Sequence, residues 1–384
     1  MRPHVDQRQA QVLALVGARG SVRVADLAQE LGVSPVTLRR DIEAMAARGE
    51  IRRMHGVISR VEGGRAGGAA GARESAAASA SASAGTASSA EDRAGASAGA
   101  AGLVIGMVVP TTEYYYADVV RGAREVVEAR GARLTVGLTR YLPGEDRTQA
   151  DRLLSTGADG LLLTPNWDAG SPGPGEGAWT AELPVPTVLV ERWAPPGHPA
   201  AALDRVASDH AHGAATAVQH LVERGHRRIA LAGRATPTTP RLRAGYEAAV
   251  AALGLEPAPP WPAAGPGPLS DADLFARTLE YLCEAVTAGG VSAALIHSDT
   301  DAIMLIPRLQ ARGVRVPEDL AVITYDDEVA GLADVPLSAV APAKREVGAR
   351  AAGLLLDRLT TAGGERGEGP RQHVELLPRL TIRS

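Results

Sequence analysis

Hydroxyl and guanidinium side chains are concentrated at the start of a helix predicted to run from Ser34 to about Arg48. Ser34 can accept a hydrogen bond from a free amide of the first turn, and Pro35 suits the first helical position. Apolar residues follow at helical spacing and occupy one side of this helix. The side chains left facing outward near its N-terminus are Thr37, Arg39 and Arg40. Because that end of a helix attracts anions, these groups suit the phosphates and purine edges of DNA.

Two more helices and a hairpin are predicted around this segment. Residues 6–18 and 25–31 have the apolar spacing of helices, and Gly32 is a good terminator for the second. Residues 50–54 and 57–60 alternate on either side of a two-residue turn, which predicts a β-hairpin wing with arginines along it. Together these elements predict a winged helix-turn-helix. The residues expected to contact DNA are Arg23, Ser34, Thr37, Arg39, Arg40, Arg52, Arg53 and His55.

The charge distribution separates a basic N-terminal segment from an acidic remainder. Residues 1–60 contain ten Arg and six Asp or Glu, a formal charge of +4, whereas the whole chain carries −4. The remaining residues therefore carry −8. A small basic module on an acidic body is typical of a DNA-binding domain joined to another domain. The length of 384 residues also indicates two or three domains.

The composition indicates a soluble protein of the cytoplasm. The single cysteine, Cys283, excludes a disulfide framework and fits a reducing compartment. No apolar run is long enough to span a bilayer, and the first ten residues lack the apolar core of a secretion signal.

Residues 62–101 are almost entirely Ala, Gly and Ser with scattered charges. Such a segment buries too little apolar surface to offset the entropy lost on ordering, so we expect a flexible tether. The sequence therefore predicts a DNA-binding domain at 1–61, a linker at 62–101 and a larger domain at 102–384.

In the larger domain, short apolar runs alternate with amphipathic helices. Strands are predicted at residues 103–109, 134–138, 160–163, 187–190, 229–232, 293–296 and 321–324. Apolar runs separated by helices indicate parallel sheets covered on both faces, with ligands bound at the carboxyl ends of the strands. The fold class is therefore α/β, and the length allows two such lobes.

Aromatic side chains beside a carboxylate follow the first predicted strand. Residues 111–116 are predicted as a polar-aromatic loop before a helix at 117–130. Within this loop, residues 113–116, Glu-Tyr-Tyr-Tyr, form the densest aromatic cluster in a chain with only 3% aromatic residues. Rings beside a carboxylate suit a sugar, because they stack on its C–H faces while oxygens bond its hydroxyls. Tyr115 and Tyr116 are the candidates, and packing beneath the next helix is the alternative for one or two of these tyrosines. Trp167 and Trp193 follow later strands, where a ligand-facing wall and loop packing both fit.

The first 61 residues also contain four motifs that occur together in one family: Arg8, Val24–Ala28, Gly32–Asp41 and Gly49–Gly56. On these residues the segment resembles the N-terminal domain of DeoR-family transcription regulators. The resemblance implies a winged helix-turn-helix that binds a double-stranded DNA operator.

A second set of motifs extends through the larger domain: Ser208–His210, Gly213–Ala215, His220–Ala230, Arg241–Tyr246, Gly313–Asp327, Pro336–Val340 and Gly348. On these residues the domain resembles the effector core of LacI-family regulators, which share their fold with periplasmic sugar-binding proteins. The resemblance implies a two-lobed periplasmic-binding-protein-like type I core that binds a small effector and forms a homodimer.

The LacI resemblance also implies acidic contacts to the effector. Glu191 matches a position where the family often has such a contact, and Asp326 matches the acidic residue after the last main strand. Asp299 follows Ser298, which replaces the usual Asn. Carboxylates bind sugar hydroxyls through charge-assisted hydrogen bonds. Asp301 and Asp327 rank lower, because helix capping is an alternative role for both.

The LacI resemblance also implies an arginine contact in the segment Arg241–Tyr246. The family commonly has it three residues before a glycine, where this chain has Leu242, flanked by Arg241 and Arg243. The complete set of expected effector contacts is Tyr115, Tyr116, Trp167, Glu191, Arg241, Arg243, Asp299 and Asp326.

These observations predict a transcription regulator, with repression as the expected sign, controlled by a sugar or sugar derivative. The alternatives are a sugar-binding protein and a sugar-acting enzyme, each with the DNA-binding domain used for autoregulation. We expect no enzyme activity, catalytic residue or cofactor. A metal site was considered for the histidines that cluster in sequence, but helical phase scatters them and we expect none: His210, His212, His220 and His226.

Overall fold

The computed structural model describes residues 100–383 apart from 174, 262–270 and 361–368. It also describes short N-terminal segments, namely residues 11–13, 15, 21–23, 45, 51–54 and 57–60. The chain divides into two compact units, Met1–Ala84 and Gly85–Ser384.

The first unit contains a small antiparallel sheet. Its strands are β1 (Ser21–Arg23), β2 (Ile51–Met54) and β3 (Val57–Arg60), in the order β1-β3-β2. Met54 lies opposite Val57, so the predicted hairpin wing is confirmed. Val12 and Met45 are helical and fully buried. Most positions of the predicted DNA-binding helix lie outside the described residues, as does the linker.

The second unit alternates strands and helices. Its strands are β4 (Val104–Val109), β5 (Arg133–Leu138), β6 (Gly160–Leu163), β7 (Thr187–Val190), β8 (Asp204–Ser208), β9 (Ile229–Gly233), β10 (Ala293–His297), β11 (Ala321–Tyr325), β12 (Ser338–Ala341), β13 (His373–Leu376) and β14 (Arg379–Thr381). Its helices are α1 (Tyr115–Ala129), α2 (Glu145–Ser155), α3 (His210–Glu223), α4 (Thr239–Ala252), α5 (Asp271–Thr287), α6 (Asp299–Ala311) and α7 (Lys344–Thr360). Short 3-10 helices cover Ala178–Glu182, Pro199–Ala202 and Ala330–Leu332.

Two sheets define two lobes. In the first lobe, six parallel strands lie in the order β13-β8-β7-β6-β4-β5, and α1, α2 and α7 pack against them. In the second lobe, the order is β14-β12-β11-β10-β9, with only β14 antiparallel among these five. The helices of the second lobe are α3 to α6. The predicted α/β class with parallel sheets is confirmed.

The predicted strands are buried on both faces. Every residue of β6 and β7 is buried, as are five of the six in β4. This burial explains why continuous apolar runs marked the strands. Each of the seven predicted strands is present, with its ends shifted by at most one residue.

Strand β8 was not predicted, because it begins with two charged residues, Asp204 and Arg205. Asp204 is nevertheless buried, and Nε and Nη2 of Arg358 each donate to its carboxylate at 2.9 Å. An ion pair with a residue 154 positions away satisfies this charge, and no local pattern reveals such a partner.

The sequence also placed the start of α1 two residues too late. A polar-aromatic loop was expected through Tyr116, but the helix begins at Tyr115. Tyr114 precedes it with a φ of 51°, in the left-handed region.

Among the described helices, none has the length and apolar character needed to cross a membrane.

Candidate functional site: the cleft between the lobes

A cleft of about 740 Å³ lies between the two lobes, at the carboxyl ends of strands from both sheets. The first lobe lines it with Tyr114, Tyr115, Tyr116, Tyr141, Asn166, Trp167, Asp168, Glu191 and Arg192. The second lobe lines it with His210, Arg234, Ala235, Thr236, Pro237, Thr238, His297, Ser298, Thr300, Asp301 and Asp326. Rings and hydrogen-bonding groups on opposite walls suit a small polar molecule.

The structure places five of the eight expected effector contacts on this cleft: Tyr115, Tyr116, Trp167, Glu191 and Asp326. The other three do not line it, and their side chains have different surroundings: Asp299, Arg241 and Arg243.

Glu191 is a buried carboxylate that the protein itself satisfies. Tyr115 donates its hydroxyl to Oε1 at 2.7 Å, and the amide and hydroxyl of Ser208 donate at 3.1 and 2.8 Å. His210 Nε2 lies 3.4 Å from Oε2. Burial acts to raise the pKa of Glu191, but the hydrogen bonds from His210, Tyr115 and Ser208 outweigh it and lower that pKa. Glu191 thus fixes the position of Tyr115 and remains charged at neutral pH.

Asp326 is a buried carboxylate that the protein leaves partly unsatisfied. Its Oδ1 has no hydrogen-bond partner within the described part of the chain, and its Oδ2 lies 3.6 Å from Nδ1 of His297. Burial lowers the pKa of His297, although the charge of Asp326 acts to raise it. The lowered pKa favours a neutral ring. The other ring nitrogen of His297 lies 3.0 Å from the hydroxyl of Thr236. A ligand that donates to Asp326 Oδ1 would complete its hydrogen bonding.

Arg192 is a buried guanidinium that sequence reasoning missed. Its Nε donates to the carbonyl of Pro165 at 2.7 Å, and Nη1 donates to the carbonyl of Glu191 at 2.8 Å and to the hydroxyl of Tyr116 at 3.2 Å. Nη2 has no partner among the described residues. Arg192, Arg234 and His297 each lie within three residues of the end of a predicted strand, so testing every polar residue at these positions would have found them.

Asp299 holds a loop of the second lobe instead of facing the cleft. Its Oδ2 accepts the amides of Glu328 and Val329 at 2.6 Å and that of Ala330 at 3.1 Å. Its Oδ1 accepts the hydroxyl of Tyr114, which comes from the first lobe. Asp299 therefore links the lobes.

Arg241 and Arg243 lie on α4 outside the cleft lining. The guanidinium carbon of Arg241 is 4.7 Å from the centre of the Trp193 ring, a cation–π contact between the lobes. The second-lobe arginine on the cleft lining is Arg234, which directly follows β9. Arg234 lines the cleft and donates to both carboxylate oxygens of Asp301, at 2.8 and 2.9 Å.

The only lysine of the chain, Lys344, joins the lobes at the start of α7. It is buried and donates to the backbone carbonyl of Asp326 and to the carboxylate of Glu328, both in the second lobe. Its Nζ also lies 5.4 Å from the ring centre of Tyr115 in the first lobe. The ammonium therefore contacts both walls beside the cleft.

The expected DNA contacts lie in the first unit. Arg23 ends β1, and Arg52 and Arg53 lie on β2 in the wing. The others fall outside the described residues: Ser34, Thr37, Arg39, Arg40 and His55.

Two lobes with parallel sheets and a cleft at the strand ends define a periplasmic-binding-protein-like core. Family comparison agrees: the periplasmic binding protein-like domain matches residues 218–384, and the DeoR-like helix-turn-helix domain matches residues 8–62. The chain thus combines a DNA-binding module with an effector-binding core, and it is a transcription regulator.

Known transcription regulators are similar to part of this chain. The HTH-type transcriptional repressor PurR of Haemophilus influenzae (strain PittEE) is 28% identical over 286 residues, covering 72% of this chain and 79% of PurR. The HTH-type transcriptional repressor CytR of Escherichia coli (strain K12) is 27% identical over 275 residues, covering 70% and 76%. A solved complex of the transcriptional regulator CelR with cellobiose has a TM-score of 0.60 and 27% identity, covering 73% of this chain and 83% of CelR.

Proposed function

We propose that this chain is a cytoplasmic repressor whose affinity for a DNA operator is controlled by a small polar effector, a sugar or sugar derivative. The effector binds in the cleft between the lobes. The compared relatives are transcriptional regulators rather than enzymes, which supports a regulatory role. PurR and CytR are named as repressors, which supports repression.

The observation that carries this proposal is the cleft itself. On one wall, a carboxylate oxygen of Asp326 has no hydrogen-bond partner among the described residues, and tyrosine rings line the other wall. Paired sugar hydroxyls suit a carboxylate, and the C–H faces of a sugar suit aromatic rings. The solved complex of CelR with cellobiose supports a sugar as the class of ligand.

Control requires that the effector bind one arrangement of the lobes more tightly than another. Tyr114 with Asp299, and Lys344 with Glu328, join the lobes beside the cleft. A ligand that contacts both walls would therefore favour one arrangement. If the signal passes through the linker predicted at 62–101, the simplest effect is a change in how the two DNA-binding domains of a dimer are spaced.

A homodimer through the second lobe is part of the proposal. Leu332 and Val335 are 81% and 51% exposed, beside a groove of about 240 Å³ lined by apolar residues of α6 such as Ile303 and Ile306. Exposed apolar patches of this kind mark protein interfaces. Two-fold pairing would present two DNA-binding domains to a repeated half-site.

The test begins with duplexes selected from a random pool by the full chain. Release of the enriched duplex is then measured by fluorescence anisotropy with each sugar of a panel. We expect one sugar class to weaken DNA binding, and Asp326→Asn to raise the sugar concentration needed. Asp118→Asn, a matched change on the exposed side of α1, is the control. Failure to enrich any duplex, or enrichment with no response to any bound sugar, would contradict the proposal.

A further inference from the structure

Arg192 is a buried cation without a paired anion. Its side chain is 2% exposed, and its three hydrogen-bonded partners are the carbonyl oxygens of Pro165 and Glu191 and the hydroxyl of Tyr116. All three are neutral acceptors. No ion pair of 4.0 Å or less involves Arg192 in the part of the chain that the structure describes, and Nη2 has no partner there. Burying an unpaired charge is costly, so a missing anion is expected.

The carboxylate of the neighbouring residue, Glu191, is not the missing anion. The oxygens of Glu191 are bonded by Tyr115 and Ser208 and approached by His210. Because these contacts fix the Glu191 carboxylate, it cannot turn toward Arg192 without breaking them. Arg192 is among the residues that line the cleft, so a ligand bound there is the candidate partner for the buried Nη2.

The opposite wall of the cleft, in the second lobe, requires a hydrogen-bond donor. Asp326 is 3% exposed, and its Oδ1 lacks a donor among the described residues. On the other side of this carboxylate, Nδ1 of His297 lies 3.6 Å from Oδ2. A molecule that spans the cleft would therefore present an anionic acceptor to the first lobe and hydroxyl donors to the second.

We propose that the effector is a sugar acid, whose carboxylate binds Arg192 and whose hydroxyls bind Asp326. This inference rests on the proposed function, because it names the class of ligand for the same cleft. One carboxylate balances the single charge of Arg192. A phosphate carries up to two charges and would repel Glu191, Asp168 and Asp326, which line the same cleft.

The test compares acids with their neutral parents on the full chain. Glucuronate, galacturonate and gluconate are each titrated by calorimetry beside glucose, galactose and glucitol, with glucose 6-phosphate as the phosphorylated probe. A charge-assisted hydrogen bond predicts that at least one acid binds about tenfold or more tightly than its parent and than the phosphate. If no acid binds more tightly than its neutral parent, the inference is overturned.

Variants assign the preference to Arg192. Arg192→Gln should remove the preference for the acid over its parent, whereas Arg192→Lys, which keeps the charge, should retain part of it. Arg345→Gln, which removes a charge at an exposed ion pair with Glu125, is the matched control. Thermal unfolding without ligand confirms that each variant is folded. An acid preference that persists in folded Arg192→Gln would overturn the assignment.

The two proposals fail in different ways. A neutral sugar or a sugar phosphate that binds and releases the operator would overturn the sugar-acid inference and leave the regulator intact. A sugar acid that binds through Arg192 without any effect on operator affinity would support the ligand class and overturn the regulatory function.

Discussion

At the scale of single residues, two kinds of buried carboxylate lie in or beside the cleft. Glu191 and Asp299 are saturated by protein donors, whereas Oδ1 of Asp326 has no donor among the described residues. The sequence placed all three at strand ends, because acidic residues there are easy to find. Which of them faces a ligand depends on donors from distant segments, such as the amides of residues 328–330, and spacing along the chain does not encode those contacts.

His297 predicts a pH dependence of stability. Burial lowers its folded-state pKa below 6.5, so the unfolded chain binds this proton more readily. Its contribution to stability is fully present above pH 6.5 and is lost as the pH falls toward the folded-state pKa. The groups that also influence it are Asp326, His210, Asp301 and Arg234.

Denaturant unfolding of the full chain between pH 5 and pH 8 checks this prediction. The quantity measured is the free energy of unfolding of the second unit. Stability should rise with pH below 6.5, by no more than about 1.4 kcal/mol per pH unit from this proton. His297→Gln should flatten that part of the curve. An unchanged slope in the variant would show that another group is responsible.

At the scale of elements, α1 and α7 cross at unusually short range. A Cβ at Gly348 would lie 1.8 Å from the carbonyl oxygen of Val119, and one at Gly122 would lie 1.9 Å from that of Arg345. The two glycines let the backbones touch beside the first-lobe sheet. Apolar periodicity predicted a helix around Gly122, and Gly348 was singled out only as a motif residue. Apolar periodicity carries no information on which faces meet, so the crossing could not be predicted.

This crossing predicts opposite effects for two glycines of α7. Gly348→Ala should destabilise the protein by about 1–3 kcal/mol, because the helices must separate to admit the methyl group. A Cβ at Gly353, on the same helix, would have no atom within 4 Å. Gly353→Ala should therefore stabilise the protein by up to about 1 kcal/mol, because alanine favours the helix. Denaturant unfolding of both variants checks this. Equal effects at the two positions would contradict a close crossing.

At the scale of the whole molecule, two modules explain the opposite charges of the chain's two parts. The modules were predictable because each has its own motif set, and the family matches at 8–62 and 218–384 support them. The second lobe was predictable as a fold. Its exposed apolar patch was not, because Leu332 and Val335 are two isolated apolar residues at and after the end of a short 3-10 helix, with no apolar periodicity to mark them.

The patch predicts the oligomeric state. Leu332→Asp combined with Val335→Asp should shift the full chain from dimer to monomer, because charges would be buried against the partner. Leu253→Asp, a change at another exposed leucine of the second lobe, should remain dimeric. Analytical ultracentrifugation distinguishes the two. A dimer that survives the double change would place the interface elsewhere.

The central claim is that effector binding in the cleft and operator binding by the DNA-binding domain are coupled. Coupled binding is reciprocal, so measuring the effect of each ligand on the affinity for the other tests the claim most directly. The Kd for the selected operator is measured by anisotropy with and without saturating effector, and the Kd for the effector by calorimetry with and without operator. A repressor released by its effector requires both constants to rise by the same factor, typically about 5- to 150-fold. An effector that binds the cleft yet leaves the operator Kd unchanged would contradict the account.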